Sequence, residues 1–332
     1  MTIKAIRLAG LCIMMKLLIS EMGAYQNYVS REFYYIMTDL ITFYGWRHRD
    51  MLRMWNDPQP LKENIQATSG EMPDVILFWG ADGFINKRAK EVYNLDCHKC
   101  IFSDDLHWHN EAARLRKHIS FWLCDTIFSA YEYAFKSFYP QIYETRCVVW
   151  VPHSASPDFM LAFNEQAENT IFLSGAINHH YPLREQMKSL YKRSAYPIIY
   201  HEHPGYHCRY DYEKTDGVGR AYAKRINACR VGFTDCLTHK YIVAKYFEIP
   251  ATGALLLADE AVSENFRTLG FIENVHYMSV SSASLEDRLK YVLDESNHQE
   301  IDGIRKRGQR LIVEKHKTRD RAQLIDEVCE RL

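Results

Sequence analysis

The sequence predicts an α/β protein built as two doubly wound domains in tandem. Short apolar runs alternate with segments of helical periodicity, a polar proline-bearing stretch interrupts them near the middle, and the series then starts again. At 332 residues the chain has room for two domains of roughly 150 residues each. A hydrophobic content of 47% with 13% aromatics supplies packed cores and argues against disorder.

The first series opens at Lys16–Ser20, a short apolar strand, followed by a small-residue turn at Met22–Ala24 and an aromatic helix running to about Tyr44. Pro73–Gly80 is the second strand, and a helix follows near Asn86–Leu95. Lys99–Ser103 is the third strand, and Asn110–Cys124 has apolar positions at helical spacing. Thr126–Ser129 and Arg146–Val151 complete at least five strands, which with intervening helices means βαβ units and a parallel sheet.

Val151–Phe159, followed by polar Asn164–Asn169, reads as the linker. Beyond it, strands at Thr170–Gly175, Tyr196–Tyr200, Val231–Thr234 and Ala254–Ala258 alternate with helices at Tyr181–Arg193, Tyr222–Cys229 and Lys240–Phe247. The run Ala254–Ala258 is wholly apolar, as a strand buried on both faces requires. Leu285–Asp294, Ile301–Lys315 and Arg319–Arg331 close the chain as helices. The expected divisions are 1–155, 156–315 and a terminal helix over 316–332.

Formal net charge is −1, so no global basic field points to nucleic acid or an anionic membrane. Nine cysteines, odd in number and scattered through apolar segments, read as reduced cytosolic thiols. Ile3–Ile19 is apolar but broken by Lys4, Arg7 and Lys16, and it lacks a small-residue cleavage site. It reads as an extension over 1–14, with Met15 a natural start, leading into the first strand. The expected location is cytoplasmic.

Open α/β sheets bind ligands at the carboxyl ends of their strands. Candidates therefore follow strands. Ser174-Gly175-Ala176 and then Arg184 suit a diphosphate, through backbone N–H groups and a guanidinium fork; the plain alternative is an ordinary turn with a surface arginine. Asp104, Asp105 and His107 follow the third strand and suit proton removal from a hydroxyl, although Asp104 or Asp105 also suits capping of the next helix. Cys97 and Cys100 with His107 and His109 have a superficial zinc spacing, but Cys100 starts a strand and would point into the sheet. In His201–His207, His203 or Tyr206 suits stacking on a base better than holding a metal. No G-x-G-x-x-G opens a helix after either first strand, and there is no Walker or G-x-S-x-G motif.

The most informative stretch is Lys245-Tyr-Phe-Glu248-Ile-Pro250-Ala-Thr252-Gly253 and the strand after it. A helix-like segment ends in a lone carboxylate, and Gly253 is a natural helix stop. The phrase resembles [KR]-x-F-E-[IA]-x-A-x-G of group-1 or spore-maturation CgeB-like glycosyltransferases, two Rossmann-like domains in the GT-B arrangement. Val151-Pro-His153-Ser154 is similar to their V-P-N-G linker, with His153 and Ser154 in place of Asn-Gly. His316-Lys-Thr318 and Arg321 resemble their closing H-T-x-x-x-R.

The resemblance implies a sugar transferase whose first domain binds the acceptor near Asp104–His107 and whose second binds a nucleotide-diphosphate sugar. Glu248 would hold the ribose hydroxyls, with Gly175, Arg184, His203, Tyr241, Lys245, Thr252 and Gly253 around the donor and His153 and Ser154 at a hinge. It implies a last helix returning to the first domain, no obligatory metal, with Mg2+ or Mn2+ as optional ions, and a glycan or other hydroxyl acceptor. The resemblance implies retention at the anomeric carbon, but many retaining members carry a glutamate where this chain has Lys240. That departure motivates a second reading, a catalytically silent nucleotide- or sugar-binding protein; a third is a different enzyme on the same scaffold, a sugar-nucleotide epimerase.

Overall fold

The computed structural model describes residues 14–332 except 109, 207 and 208, so expectations resting on residues 1–13, His109 and His207 lie outside the described residues. The chain folds into two compact units. Of the described residues, unit 1 comprises those up to 21 with 37–150 and 323–332; unit 2 comprises those in 22–36 and 151–322.

Unit 1 holds a six-stranded sheet in the order β2-β1-β3-β4-β5-β6. The strands are β1 Lys16–Ser20, β2 Arg47–Asp50, β3 Val75–Trp79, β4 His98–Ser103, β5 Thr126–Ser129 and β6 Cys147–Trp150. All pairings are parallel, with Leu17 opposite Ile76 and Leu77 opposite Cys100. β1 and β3 are buried along their whole length, the state of parallel strands covered on both faces. Lys16, which begins β1, is buried too, and its ammonium lies 2.6 Å from Asp326. The Trp46 indole N–H donates to the same carboxylate at 2.7 Å, so Asp326, on the helix Thr318–Cys329, serves two buried donors.

Unit 2 holds a five-stranded parallel sheet in the order β11-β10-β9-β7-β8. Its strands are β7 Glu168–Ser174, β8 Ile198–His201, β9 Cys229–Thr234, β10 Leu255–Asp259 and β11 Met278–Val280. Alternate residues Ile171, Leu173, Val231, Phe233, Leu255 and Leu257 face one core. The helix Pro182–Lys192 adds Leu183, Met187 and Leu190, and His298–Lys315 adds Ile301 and Ile304. Gly308 lies on the latter helix because a Cβ there would sit 2.5 Å from the His276 carbonyl oxygen. Backbone cannot swing aside, so Gly308→Ala is expected to cost about 1–3 kcal/mol, the usual range for overpacking, read as a lower midpoint in urea.

The structure corrects several expectations. β2 and β11 are additional strands: β2 is Arg-His-Arg-Asp with no apolar residue, and β11 has three residues. The helix expected near Asn86–Leu95 is two short ones, Asp82–Lys87 and Ala89–Tyr93. The helix starting after residue 110 is capped by neither Asp104 nor Asp105; the Asn110 side chain accepts from the Ala113 N–H at 2.9 Å. The helix expected over Lys240–Phe247 begins at Lys245 and runs to Ala251, because Lys240 has a left-handed φ of 59° that interrupts the helical path. Glu248 therefore sits in the first turn of that helix, and Pro250 lies inside it. Among the described cysteines, Cys97, Cys100, Cys124, Cys147, Cys229, Cys236 and Cys329 are free thiols. No helix among the described residues is long and apolar enough to cross a membrane.

Candidate functional site

In unit 2 the chain leaves β7 to one side, toward β8, and returns on the other through β9. The crevice at the carboxyl ends of β7 and β9 is thus the switch point, where a ligand meets backbone rather than a covering helix. Ser174 ends β7, and its hydroxyl pairs with that of Tyr222. Gly175 follows with φ of 98°, and a Cβ there would lie 2.8 Å from the Arg184 guanidinium and 3.1 Å from the Lys245 side chain. A glycine lets both cations close on the turn.

Arg184 is buried and internally engaged. Its Nε lies 2.7 Å from the Asp235 carboxylate, and its Nη atoms donate to the Ala176 carbonyl, the Thr234 hydroxyl and the Asp235 carbonyl. The Arg184 backbone N–H also donates to Asp235, at 3.0 Å. Burial pushes the Asp235 carboxyl up to about 6, against the pull of Arg184. The surface arginine of the plain alternative is excluded, and so is an arginine with all its donors facing a ligand.

Lys245 and Glu248 are different. Among the described residues, neither side chain has a hydrogen bond or an ion pair within 4.0 Å; the Lys245 ammonium lies 5.8 Å from the centre of the Tyr222 ring. Glu248 is 5% exposed, and burial pushes its carboxyl up to about 7 despite Lys245. Burial, opposed by Glu248 and helped by Arg184, lowers the Lys245 ammonium. Burial and the same two cations bring the nearby His203 imidazole down to about 4, so it is neutral at physiological pH.

The raised Glu248 carboxyl fixes a sign. The folded chain keeps that proton up to about pH 7, whereas the unfolded chain releases it near 4.5. Its contribution to stability is therefore complete below pH 4.5 and is lost as pH rises through 7. The whole effect is on the order of 3 kcal/mol. Urea midpoints across this window should fall with pH in the wild type and fall less in Glu248→Gln.

A second buried cluster belongs to the same unit. Glu32 opens the helix Glu32–Tyr44; one carboxylate oxygen lies 2.7 Å from His153 Nδ1, and the other accepts from the Ser154 backbone N–H and hydroxyl. Arg321 donates to the carbonyls of Pro152 and His153 and pairs with His316 Nδ1 at 2.8 Å. Asp158 takes a bidentate pair from Arg31, whose guanidinium stacks on Tyr212 at 3.9 Å.

Of the residues singled out from sequence, the structure gathers Gly175, Arg184, His203, Lys245 and Glu248. Tyr241 is fully buried, with its ring 5.6 Å from that of His239. Thr252 and Gly253 end the helix instead: the Thr252 hydroxyl donates to the Ile249 carbonyl, and the Gly253 carbonyl accepts from Arg305. Asp104, Asp105 and His107 lie in unit 1, where His107 Nδ1 is 3.9 Å from Asp105. No group of three or more His, Cys, Asp or Glu among the described residues is arranged to hold a metal ion. Sequence reasoning singled out none of Glu32, Asp158 and Asp235. A polar Thr-Asp pair ending an apolar strand was the available signal for Asp235. Glu32 gave none.

Residues 186–327 match the family described as glycosyl transferase-like. No curated protein matches the chain by sequence. Among solved structures, sucrose-phosphate synthase from Thermosynechococcus elongatus superposes with a TM-score of 0.63 at 11% identity, over 96% of this chain and 98% of that one. An alpha-glucosyltransferase in complex with UDP and a mismatched DNA 13-mer gives 0.64 at 11% identity, over 95% and 100%. The Anabaena HepE protein in complex with UDP and glucose gives 0.60 at 11% identity, over 96% and 100%. At these identities the likeness is one of fold, and that fold is GT-B.

Proposed function

We propose that this chain, a glycosyltransferase of the GT-B fold, moves a sugar from a nucleoside-diphosphate sugar to an acceptor hydroxyl. One observation carries the reading: the buried Glu248 carboxyl and the half-buried Lys245 ammonium lie one helical turn apart beside the Gly175 turn, and neither side chain hydrogen-bonds to another described residue. A folded chain bears the cost of such groups where a ligand takes up the bonds. Glu248 accepts from the ribose hydroxyls, as acidic residues do in dinucleotide folds. Lys245 and the backbone at Gly175 face the diphosphate and take up the charge that develops on it as it leaves. Arg184, pinned by Asp235, shapes that turn. His203, neutral at physiological pH, suits stacking on the base.

With an ammonium supplying the leaving-group charge, Mg2+ or Mn2+ is optional. Two of the structural neighbours are complexes with UDP, which makes uridine the first base to try. The CgeB-like resemblance carries retention with it. No glutamate stands behind that outcome here: its position is Lys240, in a turn before the helix.

The test is a thermal-shift series with UDP, GDP, ADP, CMP and dTDP, with and without magnesium, on the wild type and Glu248→Ala. A ligand at about a hundred times its dissociation constant adds about 2.7 kcal/mol of stability. One diphosphate should raise the midpoint clearly in the wild type and not in the variant. If none does, the donor site is not where we put it.

A further inference from the structure

The helix Glu111–Leu123 of unit 1 is apolar on two sides. Inward, Phe121 is buried against the rings of Phe135 and Tyr139, as an amphipathic helix requires. Outward, Leu115 is 57% exposed and Trp122 50%, with half-buried Ile119 between them. At spacings of four and three residues these side chains share one face, and exposed Ala112 lies a turn before Leu115. A single exposed leucine is ordinary, but a continuous apolar ridge marks a contact surface. We propose that this ridge docks on an anionic lipid surface, with the helix lying along the bilayer.

The charges beside the ridge fit that occupant. Arg114 and Arg116 are exposed and stand about 100° to either side of Leu115 around the helix. Arg146, which precedes β6, places its guanidinium 4.8 Å from the centre of the Trp122 ring and donates to the Trp122 carbonyl at 2.8 Å. The ridge thus has a cation on each flank and a third at its end. Of the acidic groups on these segments, Glu111 accepts from Arg114 at 3.0 Å, and Asp125 lies 3.6 Å from the Lys99 ammonium. Glu144 is exposed, and Lys117 is turned toward Asp82 at 3.7 Å. Arg116 and Arg146 form no ion pair with a described residue. The net charge of −1 adds no long-range pull, so the attraction is local.

Size argues against a protein partner. Leu115 and Trp122 expose on the order of 200 Å² of apolar surface, against about 800 Å² a side in a stable protein–protein contact. A bilayer asks for less. Apolar side chains enter the boundary between headgroups and acyl chains, and arginines beside them reach the phosphates. Tryptophan is enriched at that depth. Each basic residue near an anionic surface is worth about fivefold in affinity.

To test this, the full chain would be sedimented with vesicles of phosphatidylcholine alone and of phosphatidylcholine mixed with phosphatidylglycerol. The wild type should bind the mixture, and added salt should weaken binding. Leu115→Ser with Trp122→Ser should weaken it at least about tenfold without lowering the urea midpoint, since both side chains face outward. Arg116→Gln should cost about fivefold. Brominated acyl chains should quench tryptophan emission in the wild type and much less in Trp122→Phe. A wild type that stays in the supernatant with both vesicles overturns the proposal. So does undiminished binding by the Leu115→Ser, Trp122→Ser chain. A wild type that is dimeric without lipid, with that double variant monomeric, gives the ridge to a second copy and overturns it as well.

Discussion

Glu248→Ala should lower kcat/KM by about 10²–10⁴-fold while leaving a folded chain. A hydrogen bond to a charged acceptor is worth about 1.5–3 kcal/mol, and a carboxylate spanning two ribose hydroxyls makes two. At about 1.4 kcal/mol per tenfold the two together give that range. Nothing in the fold leans on the carboxylate, since no described residue bonds to it. Removing it also removes the cost of burying it, which offsets part of the small cavity left behind. Steady-state kinetics beside a urea melt reads both quantities. A variant that unfolds with its activity would make Glu248 a structural residue and sink its assignment to the ribose.

Arg184→Met should be the most damaging substitution to stability in unit 2. It leaves Asp235, which has 0% exposure, without its cation and strips hydrogen bonds from Thr234 and Ala176. Breaking one partner out of a buried pair costs about 3–5 kcal/mol. For a unit of this size that lowers the melting midpoint by about 6–20 °C. Removing both partners is milder, because no charge remains stranded. Arg184→Met with Asp235→Leu should therefore recover most of the loss. If the single variant melts within a degree or two of the wild type, the pair is not the fastening that its geometry indicates.

The contrast between these two residues shows what was legible in the sequence. Both were picked out from sequence as donor residues by their place after a strand or before one. What separates them is Asp235, 51 positions from Arg184, and no pattern of neighbours announces such a pair. Strands β3 and β10 are almost wholly apolar and are legible from composition alone. β2 is not, because an edge strand built of Arg, His and Asp has the composition of a loop. The helix carrying Glu248 was displaced by one turn, since the left-handed backbone at Lys240 sits inside a segment whose apolar spacing still looks helical. The Glu32–His153 pair spans 121 positions and comes from an aromatic helix and a linker, each unremarkable alone. Local periodicity reports on elements. It is silent on which distant side chains the fold brings together.

The Lys16–Asp326 pair joins positions 310 apart, so the order of synthesis matters. A ribosome emits β1 long before the carboxylate that neutralises its buried lysine. Until residue 326 clears the exit tunnel, β1 carries an ammonium that its sheet cannot bury without penalty. Unit 2, whose residues end at 322, has its whole complement earlier. The unit containing the first strand is thus the last to be finished, against the usual N-terminal-first order. Chains stalled at increasing lengths and pulsed with protease should protect 37–150 fully only once the helix Thr318–Cys329 has emerged. Full protection at shorter lengths would show that the first unit closes without it.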